Sequence, residues 1–227
     1  MLGRLLPDEV AAAESFEDPP EVFLFPEEQA AIAKAVDKRR REFATVRHCA
    51  RRALTALGRT AVPLLPGLRG APGWPQDVVG SMTHCDGYRA AAVAPRVRVA
   101  SLGIDAEPHG PLPDGVLNAV TLPAERGHLA ELAGHDPSVH WDRLLFSAKE
   151  SVYKTWFPLT GAWLGFEDAE LRFAPDTGTF RARILREGRD HEGHRLHTFH
   201  GRWQAARGLV VTAIAHQPGA ACGQNLS

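Results

Sequence analysis

The run VASLGIDAEPH, residues 99–109, carries the sharpest conformational signal in the chain. Leu102, Ile104 and Ala106 alternate with Gly103, Asp105 and Glu107, a period of two that suits a β-strand and would scatter the apolar groups around a helix. Residues two apart on a strand share a face, so Asp105 and Glu107 stand side by side. Like charges at that spacing raise each other's pKa unless a cation lies between them. Two readings follow: a solvated edge strand with two acids, or half of a cation site.

The segment HWDRLLFSAKESVYKTWF, 140–157, has the other period. Leu144, Leu145, Ala148, Val152 and Trp156 fall on one face and predict a helix that Pro158 ends. Glu150 and Lys154 are i and i+4, beside the apolar stripe. As an ordinary helix pair they are worth a few tenths of a kcal/mol; as a third carboxylate and a cation they could complete a site.

Between and around these elements the chain alternates helices and strands. Residues 1–22 read as strand or loop, FPEEQ starts a helix at Pro26, and a second helix follows Asp37. Its stripe is Phe43, Val46, Ala50, Leu54 and Leu57, with Gly58 as C-cap. A proline- and glycine-rich stretch, 59–78, predicts extended loop, and VVGSMTHCDGYRAAAVA predicts strand, turn and strand. GPLPDGV, 110–116, marks a boundary, giving an α+β protein of two α/β halves, 1–112 and 113–216, and a disordered tail, 217–227. In the second half, helices are expected at 116–120 and 123–133, and strands at DAELRFAP, TFRARILR and GLVVTAIAH.

A net charge of -1 argues against a general nucleic-acid binder. No apolar run is long enough to cross a membrane, and the three scattered cysteines suggest neither a disulfide framework nor a thiolate zinc site. A monomer in a reducing cytoplasm is expected.

GSMTHCDGYR, 80–89, surrounds Thr83 and His84 with small residues, which suits a loop that lets a ligand approach the backbone; the alternative is a structural histidine. KRRREFATVR, 38–47, is either a solvated basic helix end or, through Arg39 and Arg47, a phosphate partner. His191, His194, His197 and His200 recur every third residue, a spacing that suits a zinc site poorly, and are read as surface residues. Asp105, Glu107 and Glu150 together offer oxygen ligands for a hard divalent cation, and magnesium with ligand phosphate fits best. No Walker loop or kinase motif is present. One reading is phospho-group transfer, in which catalysis is mostly positioning and charge neutralisation.

The ordered set RRREFATVRHCARRAL, GAPGWP, GSMTHCDGY, LGIDAEP and FSAKESVYK resembles the 4'-phosphopantetheinyl transferases. The pattern is that of the larger single-chain Sfp type, and of actinobacterial members serving polyketide, peptide and fatty-acid synthesis. The resemblance implies two similar α/β subdomains related by a pseudo-twofold axis, with coenzyme A in the cleft between them. It implies transfer of the phosphopantetheine arm to a serine of an apo acyl or peptidyl carrier protein, leaving adenosine 3',5'-bisphosphate. Asp105, Glu107 and Glu150 would hold magnesium, with Glu150 as general base, ligand or both. Lys154, assisted by Lys149, would stabilise the pyrophosphate. Thr83 and His84 would contact the 3'-phosphate with Arg39 and Arg47, and Gly70 and Pro72 would border the adenine. The chain departs from the pattern at Ala71, where a basic residue is usual and Arg69 is a substitute, and at Phe146, where tryptophan is usual. The acidic helix of a carrier would dock near Arg89 or the loop after Pro111.

The rival reading from the residues is a metal-dependent phosphohydrolase with Asp105, Glu107 and His109 as strand ligands. A non-enzymatic rival is a coenzyme A or nucleic-acid binding module built on the KRRREF segment.

Overall fold

The computed structural model describes residues 1–219. Its eight strands form two antiparallel sheets. β1 (Ala11–Ser15), β2 (Val78–Cys85) and β3 (Tyr88–Pro95) make a sheet in the order β1-β3-β2. β4 (Ser101–Pro108), β5 (Ala169–Ala174), β6 (Thr179–Ile184), β7 (Thr198–Ala206) and β8 (Leu209–His216) make the other, in the order β4-β8-β7-β6-β5. The helices are α1 (Pro26–Ala31), α2 (Asp37–Ala56), α3 (Val116–Val120), α4 (Pro123–His135) and α5 (Trp141–Thr160). Each sheet is covered by one 20-residue helix, α2 over the first and α5 over the second.

The sheets divide the chain before Ser101, whereas the composition break suggested a boundary after Leu112. β4 pairs with β8 along its whole length, from Ser101 opposite His216 to Pro108 opposite Leu209. Toward β2 it has no backbone ladder. Instead the hydroxyls of Ser81 and Thr83 accept the N–H groups of Ile104 at 3.1 Å and Ala106 at 3.3 Å. Two sheet edges thus meet through side chains, which leaves them free to open above the junction. Behind it, Tyr88, Ala90 and Ala92 of β3 pack with Leu102, Ile104 and Val211 in a shared core. Burial of Leu102 or Ile104 stabilises that contact by about 1.5–3 kcal/mol each.

α5 lies unusually close to β4 because Gly103 has no side chain. A Cβ there would sit 2.0 Å from the carbonyl oxygen of Ser151 and 2.3 Å from Thr155 Oγ1. Small hydroxyl residues complete the contact. Ser101 Oγ donates to Thr155 O at 2.8 Å, and Ser147 and Ser151 share the hydroxyl of Thr212.

α5 also runs past Pro158, which was expected to end it, to Thr160. Proline removes only one backbone donor in the last turn, and the stop comes at Gly161, left-handed at φ 65, whose N–H bonds Phe157 O. The histidine-rich segment contributes β7, and His191, His194, His197 and His200 are all exposed. Of the tail expected to be disordered, residues 220–227 lie outside the described residues. Among the described residues no helix is long and apolar enough to cross a membrane.

Candidate active site

A cleft of about 720 Å³ opens above the β2–β4 junction, lined by both halves. Asp105 stands on its floor, only 4% exposed. Its Oδ1 accepts from Thr83 Oγ1 at 3.1 Å and from Lys154 Nζ at 2.7 Å. Its Oδ2 is buried with no hydrogen-bond partner. Lys154 also donates to Ile104 O at 3.2 Å, so the ammonium is tied to β4 twice. Glu150, one turn before Lys154, lines the same cleft. Burial pushes its carboxyl above the ordinary range, Lys154 pulls it back, and the charge of Asp105 adds to the rise.

Glu107 emerges on the face of Asp105, as the strand period requires, but does not line the cleft. Its Oε2 accepts from Arg143 Nη1 at 3.1 Å. Burial and the charge of Asp105 raise its pKa, and Arg143 opposes that rise. The three acids therefore share one electrostatic field without converging. Among the described residues the only His/Cys/Asp/Glu trio with ligand atoms within 4.8 Å of one another is Asp190, Glu192 and His194. That trio is a surface turn in which Asp190 Oδ1 accepts the N–H groups of Glu192 and His194.

Arg39 and His84 line the same cleft, and Arg39 Nη1 lies 2.6 Å from His84 Nε2. A guanidinium can only donate, so Nε2 is unprotonated and Nδ1, facing Glu42 Oε2 at 3.6 Å, carries the hydrogen. Burial and the neighbouring Arg39 hold His84 below its ordinary pKa. Arg47 stacks 3.3 Å from the centroid of Phe43 and donates through Nε to Leu64 O at 3.2 Å. Burial lowers its pKa to about 10, so it stays charged at neutral pH.

Gly70 and Pro72 also line the cleft. Gly70, φ 78, shares a tight turn with Arg69, φ 54, both left-handed, and Pro72 comes after it. Arg69 is also in the cleft wall, and its guanidinium lies 5.1 Å from the ring of Trp163, which belongs to the opposite half. The space at Ala71 is thus flanked by an arginine that reaches across the cleft.

Four expectations are corrected. Lys149 is 3% exposed and faces away from the cleft, bonding Glu125 Oε2 at 2.8 Å and Phe166 O at 2.7 Å. Five residues before Lys154, it falls on another side of α5. The hydroxyl of Thr83 is committed to Asp105 and to Ala106 N–H, so it is a strut of the floor and not a free phosphate donor. Arg89 is buried, paired with Asp18 at 3.0 Å and bonded to the carbonyl of Tyr88, which rules it out as a docking surface. His109, needed by the hydrolase reading, accepts His140 N–H at 3.1 Å and stacks edge-on against His140, apart from the acids. Phe146 fits its half-buried place beside Phe166.

Arg143, Trp163 and Tyr153, which lines the cleft with Glu150 and Lys154, carry no candidate role in the sequence reading. Arg143, Glu150 and Lys154 are i, i+7 and i+11, one face of a helix, and that spacing was the available signal.

The model of the 4'-phosphopantetheinyl transferase N-terminal domain matches residues 27–94, and that of the 4'-phosphopantetheinyl transferase superfamily matches 101–213. The two meet where the sheets divide. The chain is 61% identical over 218 residues to 4'-phosphopantetheinyl transferase Svp of Streptomyces mobaraensis, covering 95% of this chain and 89% of the relative. It is 53% identical over 211 residues to 4'-phosphopantetheinyl transferase PptT of Mycobacterium tuberculosis, covering 91% and 92%. It is 50% identical over 224 residues to 4'-phosphopantetheinyl transferase Npt of Nocardia iowensis, covering 95% and 100%. With both halves matched in order and three such relatives matched nearly end to end, the chain belongs to the 4'-phosphopantetheinyl transferases.

Proposed function

We propose that this transferase moves the 4'-phosphopantetheine arm of coenzyme A to a serine of an apo acyl or peptidyl carrier protein, with magnesium, and releases adenosine 3',5'-bisphosphate. The observation that carries the reading is Asp105 Oδ2, a buried carboxylate oxygen without a partner at the floor of a cation-rimmed cleft. A buried unpaired anionic oxygen is costly, and a hard cation would satisfy it. Asp105 and Glu150, which line the cleft, would hold that ion, with Glu107 drawn in from outside the lining, through oxygens alone, the donor set magnesium prefers. When bound, magnesium would neutralise pyrophosphate charge.

The chain's own residues account for the remaining needs. Arg39, Arg47 and His84 form a basic group suited to the 3'-phosphate. Lys154, which lines the cleft beside Asp105, would stabilise the charge gathering on a leaving phosphate. Glu150, which lines the cleft one turn from Lys154, would accept the serine proton as the serine oxygen bonds to phosphorus. The bond to the bridging oxygen breaks, and that oxygen leaves with the adenosine bisphosphate.

Incubation with coenzyme A, magnesium and an apo carrier tests this by mass spectrometry. A carrier gain of one phosphopantetheine, lost with a chelator, is expected. Coenzyme A breakdown without carrier modification would favour hydrolysis instead.

A further inference from the structure

Each acid of the β4 pair has one oxygen held by the protein and one left open. On Asp105, Oδ1 receives Thr83 and Lys154 while Oδ2 has no partner. On Glu107, Oε2 receives Arg143, and no hydrogen bond from the described residues reaches Oε1. Both acids thus have one oxygen held by the protein and one without a protein partner, that of Asp105 buried and that of Glu107 on a half-buried side chain.

Arg143 is not a loose counter-ion. Its Nε donates to Gly110 O at 3.2 Å, its Nη2 to Pro111 O at 2.6 Å, and its Nη1 to Glu107. All three nitrogens are engaged, and two of them grip backbone just beyond β4. The neighbouring Asp142 takes Leu112 N–H at 2.8 Å, so the start of α5 fastens the whole turn after the strand. Arg143 and Lys154 are eleven residues apart, roughly 16 Å along a helix, whereas Asp105 and Glu107 are only about 7 Å apart along a strand. The two long side chains therefore reach the acid pair from positions about three turns apart on α5, Arg143 to Glu107 and Lys154 to Asp105, with Glu150 between them in sequence.

We propose that Arg143 is a positioning residue for the cation site: it fixes Glu107 by one oxygen so that the other faces the ion, as Thr83 and Lys154 fix Asp105. The inference rests on the magnesium reading above. Partners of this kind set the orientation of the ligand, and their loss costs about 10–100-fold in metal affinity.

The test is calorimetric titration of magnesium into the protein saturated with coenzyme A, for wild type, Arg143→Gln, Arg143→Lys, Glu107→Gln and the double variant Arg143→Gln/Glu107→Gln. Arg143→Gln should weaken magnesium binding about 10–100-fold, with partial recovery in Arg143→Lys. The double variant should bind no worse than Glu107→Gln alone, because Arg143 acts through that carboxylate. Magnesium affinity unchanged in Arg143→Gln, or losses that add in the double variant, would overturn the inference while leaving the magnesium reading standing. Absence of binding in the wild type would overturn both. If Arg143→Gln does not fold, Arg143→Lys against Glu107→Gln carries the same comparison.

Discussion

Lys154 Nζ sits 2.7 Å from Asp105 Oδ1, and that contact joins the two strongest sequence signals in the chain, the alternating strand and the amphipathic helix. The pair is half-buried, with the carboxylate nearly dry and the ammonium partly open to the cleft. Asp105→Asn keeps a carbonyl oxygen for Thr83 and Lys154 while it removes the charge and turns the other oxygen into an amide donor. Transfer should fall by about 10²-fold or more, while the melting temperature moves by no more than a few degrees. A large loss of melting temperature with activity per folded molecule retained would count against the metal role of Asp105.

Gly103 sets how close that helix can come. Gly103→Ala places a carbon 2.0 Å from a backbone oxygen of α5, which has no rotamer with which to yield. Overpacking of this kind costs about 1–3 kcal/mol. Because Glu150 and Lys154 ride on the displaced helix, transfer should drop on the order of 10²-fold even at temperatures where the variant is folded. Chemical denaturation and single-temperature kinetics measure the two effects separately.

Lys149 adjoins Glu150 in sequence and yet serves the core of the second half. Its ammonium is 2% exposed against Glu125 at 0%. Lys149→Met leaves that carboxylate buried with only the Leu122 and Leu171 N–H groups, a loss of about 3–5 kcal/mol. KM for coenzyme A, measured on the folded fraction, should not change. A raised KM with intact stability would return Lys149 to the cleft.

Much of this arrangement was legible because local patterns coincide with local structure. The strand at Asp105, the helix at Glu150 and the hairpin at Thr83 follow from period and turn chemistry alone. What sequence could not supply was registry between distant segments. The membership of β4 in the second sheet depends on β8, more than a hundred residues later, and no local feature encodes it. The same blindness assigned Lys149 and Thr83 to the ligand, since one residue of helix rotation or one hydroxyl's choice of partner decides each case. Pro158 misled for a different reason: a helix tolerates proline where only one donor is lost near its end.

Glu14 makes the first sheet sensitive to acid. Burial alone would raise its carboxyl, but the amino group of Met1, the Tyr88 hydroxyl at 2.6 Å and Leu2 N–H at 3.1 Å outweigh burial and hold it below the ordinary 4.5. A carboxylate depressed in the folded state contributes stability above its unfolded pKa and loses it as pH falls through the folded value. Glu14→Gln should therefore be less stable than wild type at pH 7, and the two unfolding curves should converge as pH drops below about 4.5. A gap that stays constant down to that range would mean that packing, not charge, makes the difference.

Arg47 separates binding from chemistry. It is stacked on Phe43 and bonded through Nε to Leu64 O, which leaves its terminal nitrogens for a ligand in the cleft. Lysine can neither stack as a plane nor keep the Leu64 bond while reaching forward. Arg47→Lys should thus behave nearly like Arg47→Ala, with KM for coenzyme A raised roughly 10–100-fold, the equivalent of one charge-assisted hydrogen bond. The maximal rate should hold, because the contacts of Arg47 are with Leu64 and Phe43 and not with Glu150 or Lys154. For a coenzyme A analogue lacking the 3'-phosphate, wild type and variant should give the same KM. If the variant's defect persists on that analogue, Arg47 is acting through Phe43 and the fold of α2, and the 3'-phosphate must be bound elsewhere.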